Sequence, residues 1–260
     1  MSTTHQEPEL VYRPMRLPAR RTVESKAPLR WLRLGVAYLR RARGISFAYG
    51  AFFAAIGLSI TWLGLNQPQF ILTFWSGFLL IGPLLAVGLY RIAQLQDAGE
   101  TVKLSTCWRT VRRRLGPVAL FSLLLSLIMI AWIRFSTLAA ALYVGNITGT
   151  SSFITAMGTS EGIGFVILLF GVGAVFAVIM FALTAWSLPM LLDNRADFGT
   201  AVVTSVKATA EQPLPMLLWG GMVAGLTVLG MLTLFMGFVV IFPLLGYATW
   251  AAYRELFADQ

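Results

Sequence analysis

The chain has 260 residues, of which 57% are hydrophobic and only 12% are charged, and its mean hydropathy is +0.75. This composition excludes a water-soluble globular protein, because such a protein needs enough polar surface to cover itself. The net charge of +9 would favour nucleic-acid binding in a soluble protein, but here it is concentrated in segments 1–44 and 91–116, beside long apolar runs. We therefore predict an integral membrane protein with no nucleic acid among its partners.

The N-terminal segment changes character near residue 28. Residues 1–28 mix four prolines with Arg and Glu and show no periodicity, which predicts a disordered basic cytoplasmic tail. In residues 29–44 apolar side chains such as Trp31 and Leu39 share one helical face, and arginines occupy the other. This pattern predicts an interface helix in the headgroup layer, and a short solvated helix packed on the rest of the protein is an equal alternative.

Apolar runs predict the membrane-spanning helices. Charge-free residues 45–65 are long enough to cross the hydrocarbon core, and a polar turn separates them from a second run of equal length. The run from residue 213 to 253 is about twice the core thickness, so it must fold back on itself. We predict an all-α polytopic membrane bundle in residues 29–258, with six transmembrane helices in three hairpins: 45–90, 117–192 and 213–253.

A repeated motif connects the first and third hairpins. Gly77-Phe78-Leu79-Leu80-Ile81-Gly82-Pro83-Leu84-Leu85 returns 160 residues later, with six of nine positions identical, as Gly237-Phe238-Val239-Val240-Ile241-Phe242-Pro243-Leu244-Leu245. A weaker copy surrounds Pro189. We interpret these copies as three related hairpins, each preceded by an amphipathic interface helix; chance similarity is the alternative. Each proline leaves a carbonyl without its helical donor, so the motif predicts kinks at Pro83, Pro189 and Pro243.

The second basic segment carries candidate contacts with anionic headgroups or acidic partner segments, because each cation near an anionic membrane is stabilised by about 1 kcal/mol. The candidates are Arg109, Arg112, Arg113 and Arg114.

Three further charged residues attract attention. Asp97 and Asp197 each precede an amphipathic stretch, which favours a helix-capping role over catalysis. Arg134 lies inside the third predicted span and is an intramembrane polar candidate, either functional or with its stem extended to the far interface. The sequence offers no Cys/His metal cluster, no Ser-His pair and no phosphate-binding loop, so we expect no enzyme and no cofactor.

Several short motifs resemble a known family. Pro83-Leu84-Leu85-Ala86, Ser187-Leu188-Pro189 and, most specifically, Pro243-Leu244-Leu245-Gly246-Tyr247-Ala248-Thr249-Trp250 are similar to the bacterial predicted integral membrane proteins of domain of unknown function 2189. The resemblance runs from about Trp31 to Leu256. It implies a multi-pass protein of the bacterial inner membrane and no particular reaction.

Two classes of function fit these observations. The first is a non-catalytic accessory or scaffold of the inner membrane that engages anionic lipid, and other membrane proteins or further copies of itself, through a basic cytoplasmic face. The second is a small permease or channel with its path between the repeated hairpins. Coupled transport usually needs ionisable groups at mid-depth in the membrane, and none of the predicted spans has one near its centre.

The charge distribution predicts the topology: both termini and residues 91–116 and 193–212 in the cytoplasm, and residues 145–162 outside. The single cysteine of the chain, Cys107, gives a test in intact cells. A membrane-impermeant thiol reagent is expected to spare Cys107 and to label an engineered Ser152→Cys. The opposite labelling pattern would reverse the assignment.

Overall fold

The computed structural model describes residues 21–65, 71–101, 115–143, 158–193 and 196–257, and these contain helices and no strand. In chain order the helices are α1 (Ala27–Arg41), α2 (Arg43–Gly64), α3 (Ile71–Leu85), α4 (Val87–Asp97), α5 (Leu115–Tyr143), α6 (Ser160–Thr184), α7 (Ser187–Leu192), α8 (Phe198–Glu211), α9 (Pro213–Leu232) and α10 (Phe238–Phe257).

Five helical stretches of the described chain are long and apolar enough to cross a membrane: Arg43–Gly64, Gly77–Asp97, Ala119–Tyr143, Ser160–Leu192 and Pro213–Leu232. They confirm a polytopic all-α membrane protein. The sixth predicted span corresponds to α10, which is not among the five. Its second half carries Tyr, Trp, Arg and Glu, which lower its hydropathy. Six spans and three repeated hairpins therefore stay predictions.

α10 lies at the centre of the helix packing. It packs against α1, α2 and α4, and residues on all its sides are buried, among them Phe238, Tyr247 and Trp250. A helix buried on all sides is typical of the interior of a larger bundle. α5 and α6 pack on each other away from α10 and enclose a second, smaller cluster around Trp132 and Phe165. The spans thus form a core around α10 and a pair at the side.

α1 buries its apolar stripe against protein. Trp31 is fully buried, Leu39 is nearly so, and the helix packs mainly on α10, whereas Leu29 and Leu34 on the other side are exposed. Of the two alternatives for residues 29–44, this arrangement favours the helix packed on the rest of the protein. Residues 198–211 also form a helix, α8, which precedes the third predicted hairpin.

Residues 1–28 are predicted to be disordered, but the last part of this segment is ordered in the structure. Residues 1–20 lie outside the described part of the chain, but residues 21–28 are held by the bundle. The amide of Arg21 donates to the carbonyl of Leu256 (2.9 Å), and the amide of Val23 donates to the side chain of Gln212 (2.8 Å). Two long-range hydrogen bonds to the end of α10 and the start of α9 order a segment that lacks its own periodicity.

The ends of α4 and α9 share one capping geometry, in which the last turn is closed by two hydrogen bonds and a residue with positive φ. At α4 this residue is Gly99 (φ 68), and at α9 it is Leu234 (φ 50). A side chain in this conformation costs roughly 1–2 kcal/mol because its Cβ crowds the carbonyl oxygen. Phe235 follows, also at positive φ (64), and its buried ring packs on Trp75 and Phe78. Burial of that ring offsets the strain of the turn.

Leu234 therefore stands where glycine is the better residue, and its side chain is 70% exposed. We expect Leu234→Gly to stabilise the protein by about 1 kcal/mol, since it removes the strain and little packing. Thermal unfolding in detergent is the measurement. The control Leu232→Gly changes an equally exposed residue within the helix and should lower the midpoint. A lower midpoint for both variants would show that Leu234 is unstrained.

Candidate functional site at the charged end of the bundle

The three prolines of the repeated motif have three different surroundings. Pro83 lies inside α3, and α3 is separated from α4 by the single residue Ala86, so the kink predicted at Pro83 stays a prediction. Pro189 lies in the first turn of the short helix α7, after a break at residues 185–186. Its missing N–H is no loss there, because first-turn amides have no helical acceptor. The helix containing Pro243 continues without a break, so the kink predicted there produces no interruption.

The carbonyl that Pro243 leaves without a donor belongs to Val239, four residues earlier. The backbone of α2 approaches this carbonyl at Gly50, where an added Cβ would lie 2.1 Å from the Val239 oxygen. Only glycine permits such an approach. The carbonyl that Pro243 leaves without a helical donor thus lies at a close backbone contact between α2 and α10.

Three carboxylates mark one end of the bundle, where α4, α7 and α10 finish; we call it the charged end. Asp97 is the last residue of α4, Asp193 follows α7, and Glu255 lies in the last turn of α10. The described parts of the segments predicted as cytoplasmic meet here. The sequence predicts that charge collects at this end. It does not indicate that these carboxylates accept hydrogen bonds from side chains of other helices.

Asp97 is held by aromatic donors from two distant helices. Its carboxylate accepts hydrogen bonds from the Tyr38 hydroxyl (2.5 Å) and from the Trp250 indole (2.8 Å), and Arg254 Nε lies 4.0 Å away. The capping role predicted for Asp97 is wrong: the residue ends α4, where a negative charge is disfavoured by the helix dipole. The two donors and Arg254 compensate for that position and join α1, α4 and α10.

Asp193 and Glu255, like Asp97, each accept a hydrogen bond from an aromatic side chain of another helix. Asp193 accepts from Gln94 Nε2 (2.8 Å) and from the Tyr253 hydroxyl (3.1 Å). Glu255 accepts from the Trp31 indole (3.1 Å) and forms an ion pair with Arg30. Each carboxylate thus connects helices that are far apart in the sequence.

A layer of aromatic rings lies next to these carboxylates. The Trp31 ring meets Trp186 and Trp219 edge to face, at centroid distances of 6.3 and 5.6 Å. The Tyr253 ring lies between Trp250 and Phe257 in tilted contacts, with centroids 5.4 Å from each. Rings of this kind supply large buried area, and the indole and phenol groups need an acceptor when buried. For Trp31, Trp250 and Tyr253 the acceptors are the carboxylates of Glu255, Asp97 and Asp193.

Burial raises the pKa of the Tyr38 hydroxyl well above its ordinary value, and the hydrogen bond to Asp97 adds to the effect. The phenol therefore remains protonated and remains a donor throughout the physiological pH range. This behaviour suits a structural connection and does not suit proton transfer, which needs a group that titrates near neutral pH.

The capping role predicted for Asp197 is confirmed. Its carboxylate accepts from the amides of Gly199 (3.0 Å) and Thr200 (3.3 Å) at the start of α8. The hydroxyl and amide of Thr200 hold the Asp197 pKa below its ordinary value of 3.8. The charged form is thus favoured by folding, so the cap stabilises α8 above that pH and loses its effect as the pH falls.

The remaining predicted site residues are either outside the described part or isolated. Arg109, Arg112, Arg113 and Arg114 lie outside the described residues. Arg134 lies on α5 with its side chain exposed on the outer surface of the helix, so it does not face a neighbouring span.

A pocket of about 560 Å³ opens at the charged end, between the α1–α2 corner and the end of α4. Its charged lining residues are Arg41, Arg43 and Glu100, and Gln96, Gly99 and Thr101 complete the α4 side. Neither the pocket nor the carboxylate cluster supplies a metal site: the described residues contain no group of three His, Cys, Asp or Glu side chains placed to hold an ion.

Comparison with known families agrees with this architecture. Residues 70–193 match the family model described as predicted integral membrane protein, DUF2189. The match extends from the start of α3 to the end of α7 and covers just under half of the chain, so the resemblance noted in the sequence is confirmed over this part. The C-terminal motif around Pro243 lies outside it. No curated protein and no solved structure matches the chain.

The Asp97 contacts predict a specific loss of stability. Asp97→Ala would leave the buried Trp250 indole and the Tyr38 hydroxyl without their acceptor, which costs about 1–3 kcal/mol. We expect a lower midpoint of thermal unfolding in detergent, with the helix content preserved at low temperature. Glu100→Ala, which removes an exposed carboxylate three residues away, should change stability by less than about 0.5 kcal/mol. Equal midpoints for Asp97→Ala and the wild type would contradict a connecting role for this carboxylate.

Proposed function

We propose that this integral membrane protein is a non-catalytic accessory or scaffold of the bacterial inner membrane, with both termini in the cytoplasm. The observation that carries the proposal is the use of the acids at the charged end. Asp97, Asp193 and Glu255 all accept hydrogen bonds from side chains that hold helices together. A reaction centre needs titratable groups poised for proton transfer or nucleophilic attack, whereas these groups act as fixed connections.

The distribution of charge along the spans supports the same proposal. Away from its ends, the third candidate span carries Arg134, and this side chain is exposed on the outer surface. A path for a coupled solute needs ionisable groups that face the bundle interior. The residues of the described bundle that are both polar and buried are Ser and Thr, among them Ser46 and Ser205, whose hydroxyls donate to the helix carbonyls of Ala42 and Ala182.

We further propose that α10 is the sixth crossing helix. Its 20 residues extend about 30 Å, and the chain enters it through a tight turn at residues 233–237 directly after the fifth candidate span. An even number of crossings returns the C-terminus to the side of the N-terminus, in agreement with the hydrogen bond between Arg21 and Leu256. The interruptions at Ala86 and at residues 185–186, each near a motif proline, support related first and second hairpins.

The basic segment around residue 109 is the part proposed to engage anionic lipid or acidic partner segments, and Cys107 lies within it. We expect a spin label on Cys107, in protein reconstituted into nanodiscs, to lose mobility as the phosphatidylglycerol fraction of a phosphatidylcholine bilayer rises. Neutralising Arg112, Arg113 and Arg114 to Gln should remove most of this response. The matched control, Arg33→Gln with Arg40→Gln, changes exposed arginines of α1 and should retain it.

Transport is tested with the same purified protein, reconstituted alone into vesicles and supplied with a panel of small solutes and ions. No flux above that of empty vesicles is expected. A flux that Pro83→Ala abolishes would overturn the accessory proposal in favour of a permease with its path between the hairpins. A Cys107 signal that does not depend on anionic lipid would equally contradict the lipid-engaging face.

A further inference from the structure

The pocket at the α1–α2 corner lies where two candidate spans end on one side of the bundle. The first candidate span begins at Arg43 and the second ends at Asp97, and the pocket is lined by the residues at these two boundaries. Where two spans leave the hydrocarbon core on one side, the adjacent layer contains lipid phosphates and their substituents. The position of the pocket therefore exposes it to phospholipid headgroups before any other ligand.

The cations of the pocket are available to a ligand. Arg41 and Arg43 make no ion pair with any described residue, in contrast to Arg30 and Arg254, which face Glu255 and Asp97. Arginine forms paired hydrogen bonds to phosphate oxygens with favourable geometry.

The two walls of the pocket are fixed relative to each other. Gln96 Nε2 donates to the carbonyl of Tyr38 (3.2 Å), and the Tyr38 hydroxyl donates to Asp97, so the ends of α1 and α4 are joined twice. Gly99 at positive φ then turns the chain, and the amide of Glu100 closes the turn on Leu95. A preorganised pocket binds a ligand with less ordering cost.

The pocket also has an apolar continuation. Phe47, one helical turn after Arg43, is exposed on the same face of α2. This surface faces the hydrocarbon layer directly below the pocket, where acyl chains lie. A free phosphate would make no use of it, whereas a lipid would occupy the polar and the apolar part together.

Glu100 sets the class of headgroup. Its carboxylate lines the pocket together with the two arginines, so the site presents charges of both signs. A second anionic group on the ligand would be repelled by Glu100, and an ammonium group would be attracted. We propose that this pocket binds a zwitterionic, amine-bearing phospholipid such as phosphatidylethanolamine, with the phosphate on Arg41 and Arg43 and the ammonium beside Glu100. The inference rests on the proposed accessory function and names one lipid that it engages.

Native mass spectrometry of the purified, delipidated full-length protein tests the proposal. Phosphatidylethanolamine, phosphatidylglycerol and diacylglycerol are each titrated onto the protein. We expect a saturable one-to-one complex with phosphatidylethanolamine, at least tenfold weaker binding of phosphatidylglycerol, and no saturable complex with diacylglycerol. Arg41→Gln with Arg43→Gln should weaken phosphatidylethanolamine binding at least tenfold, and Glu100→Gln should remove the preference over phosphatidylglycerol.

The control Arg33→Gln with Arg40→Gln changes two exposed arginines of α1 that do not line the pocket, and it should bind as the wild type does. Equal weakening by the control pair, or equal binding of diacylglycerol, would overturn the proposal. Displacement of the lipid by inorganic phosphate at comparable concentration would also overturn it, since the pocket would then be an anion site without lipid recognition.

A second measurement uses the unaltered protein and does not depend on the variants folding. Phosphatidylethanolamine with a photoreactive headgroup should cross-link within residues 41–45 and 96–101, and cross-links confined to other segments would contradict the site. The mobility response of Cys107 to anionic lipid reports on a different segment. Failure of the pocket proposal therefore leaves the proposed function standing, and loss of the Cys107 response leaves the pocket assignment standing.

Discussion

The structure depends on one constraint: a helix surrounded by other helices must find hydrogen-bond acceptors for its own polar side chains. α10 is such a helix, with Trp250 and Tyr253 buried near its end. Their donors are satisfied by Asp97 and Asp193, which end two other helices. Because an unsatisfied buried donor is costly, these contacts fix where α4 and α7 finish relative to α10. The position of the pocket, the order of residues 21–28 and the burial of α1 follow from that placement.

How much the sequence predicts depends on the distance over which a residue acts. The spans are visible because each is a continuous apolar run, and the cap at Asp197 is visible because its partners lie within three residues. Asp97 has the same local surroundings in the sequence, but its partners are 59 and 153 residues away. A pattern of neighbouring residues cannot indicate that Trp250 will contact Asp97 from so far along the chain. The capping prediction for Asp97 failed for this reason.

Hydropathy also has a limit when a helix is central. Tyr247, Trp250 and Tyr253 make α10 less apolar than a lipid-facing span. The helix can carry them because neighbouring helices satisfy their polar groups. α6, by contrast, faces outward over most of its length, and its composition is that of a span in contact with lipid. Hydropathy therefore marks this long, largely buried helix less clearly than the lipid-facing spans, and the packing of helices around it follows from shape and not from hydropathy.

The close approach of Gly50 to the Val239 carbonyl has a consequence for biogenesis. The two residues are separated by most of the chain, and at about 5–20 residues per second the ribosome needs about 10–40 s to bridge that separation. During this interval α2 is already in the bilayer while the helix that covers its glycine face does not yet exist. α1, which carries Trp31, also packs mainly on α10 and so also lacks its partner during this interval. The first two helices to be made are thus among the last to be enclosed, and a chain that stops before α10 leaves both with an uncovered packing face.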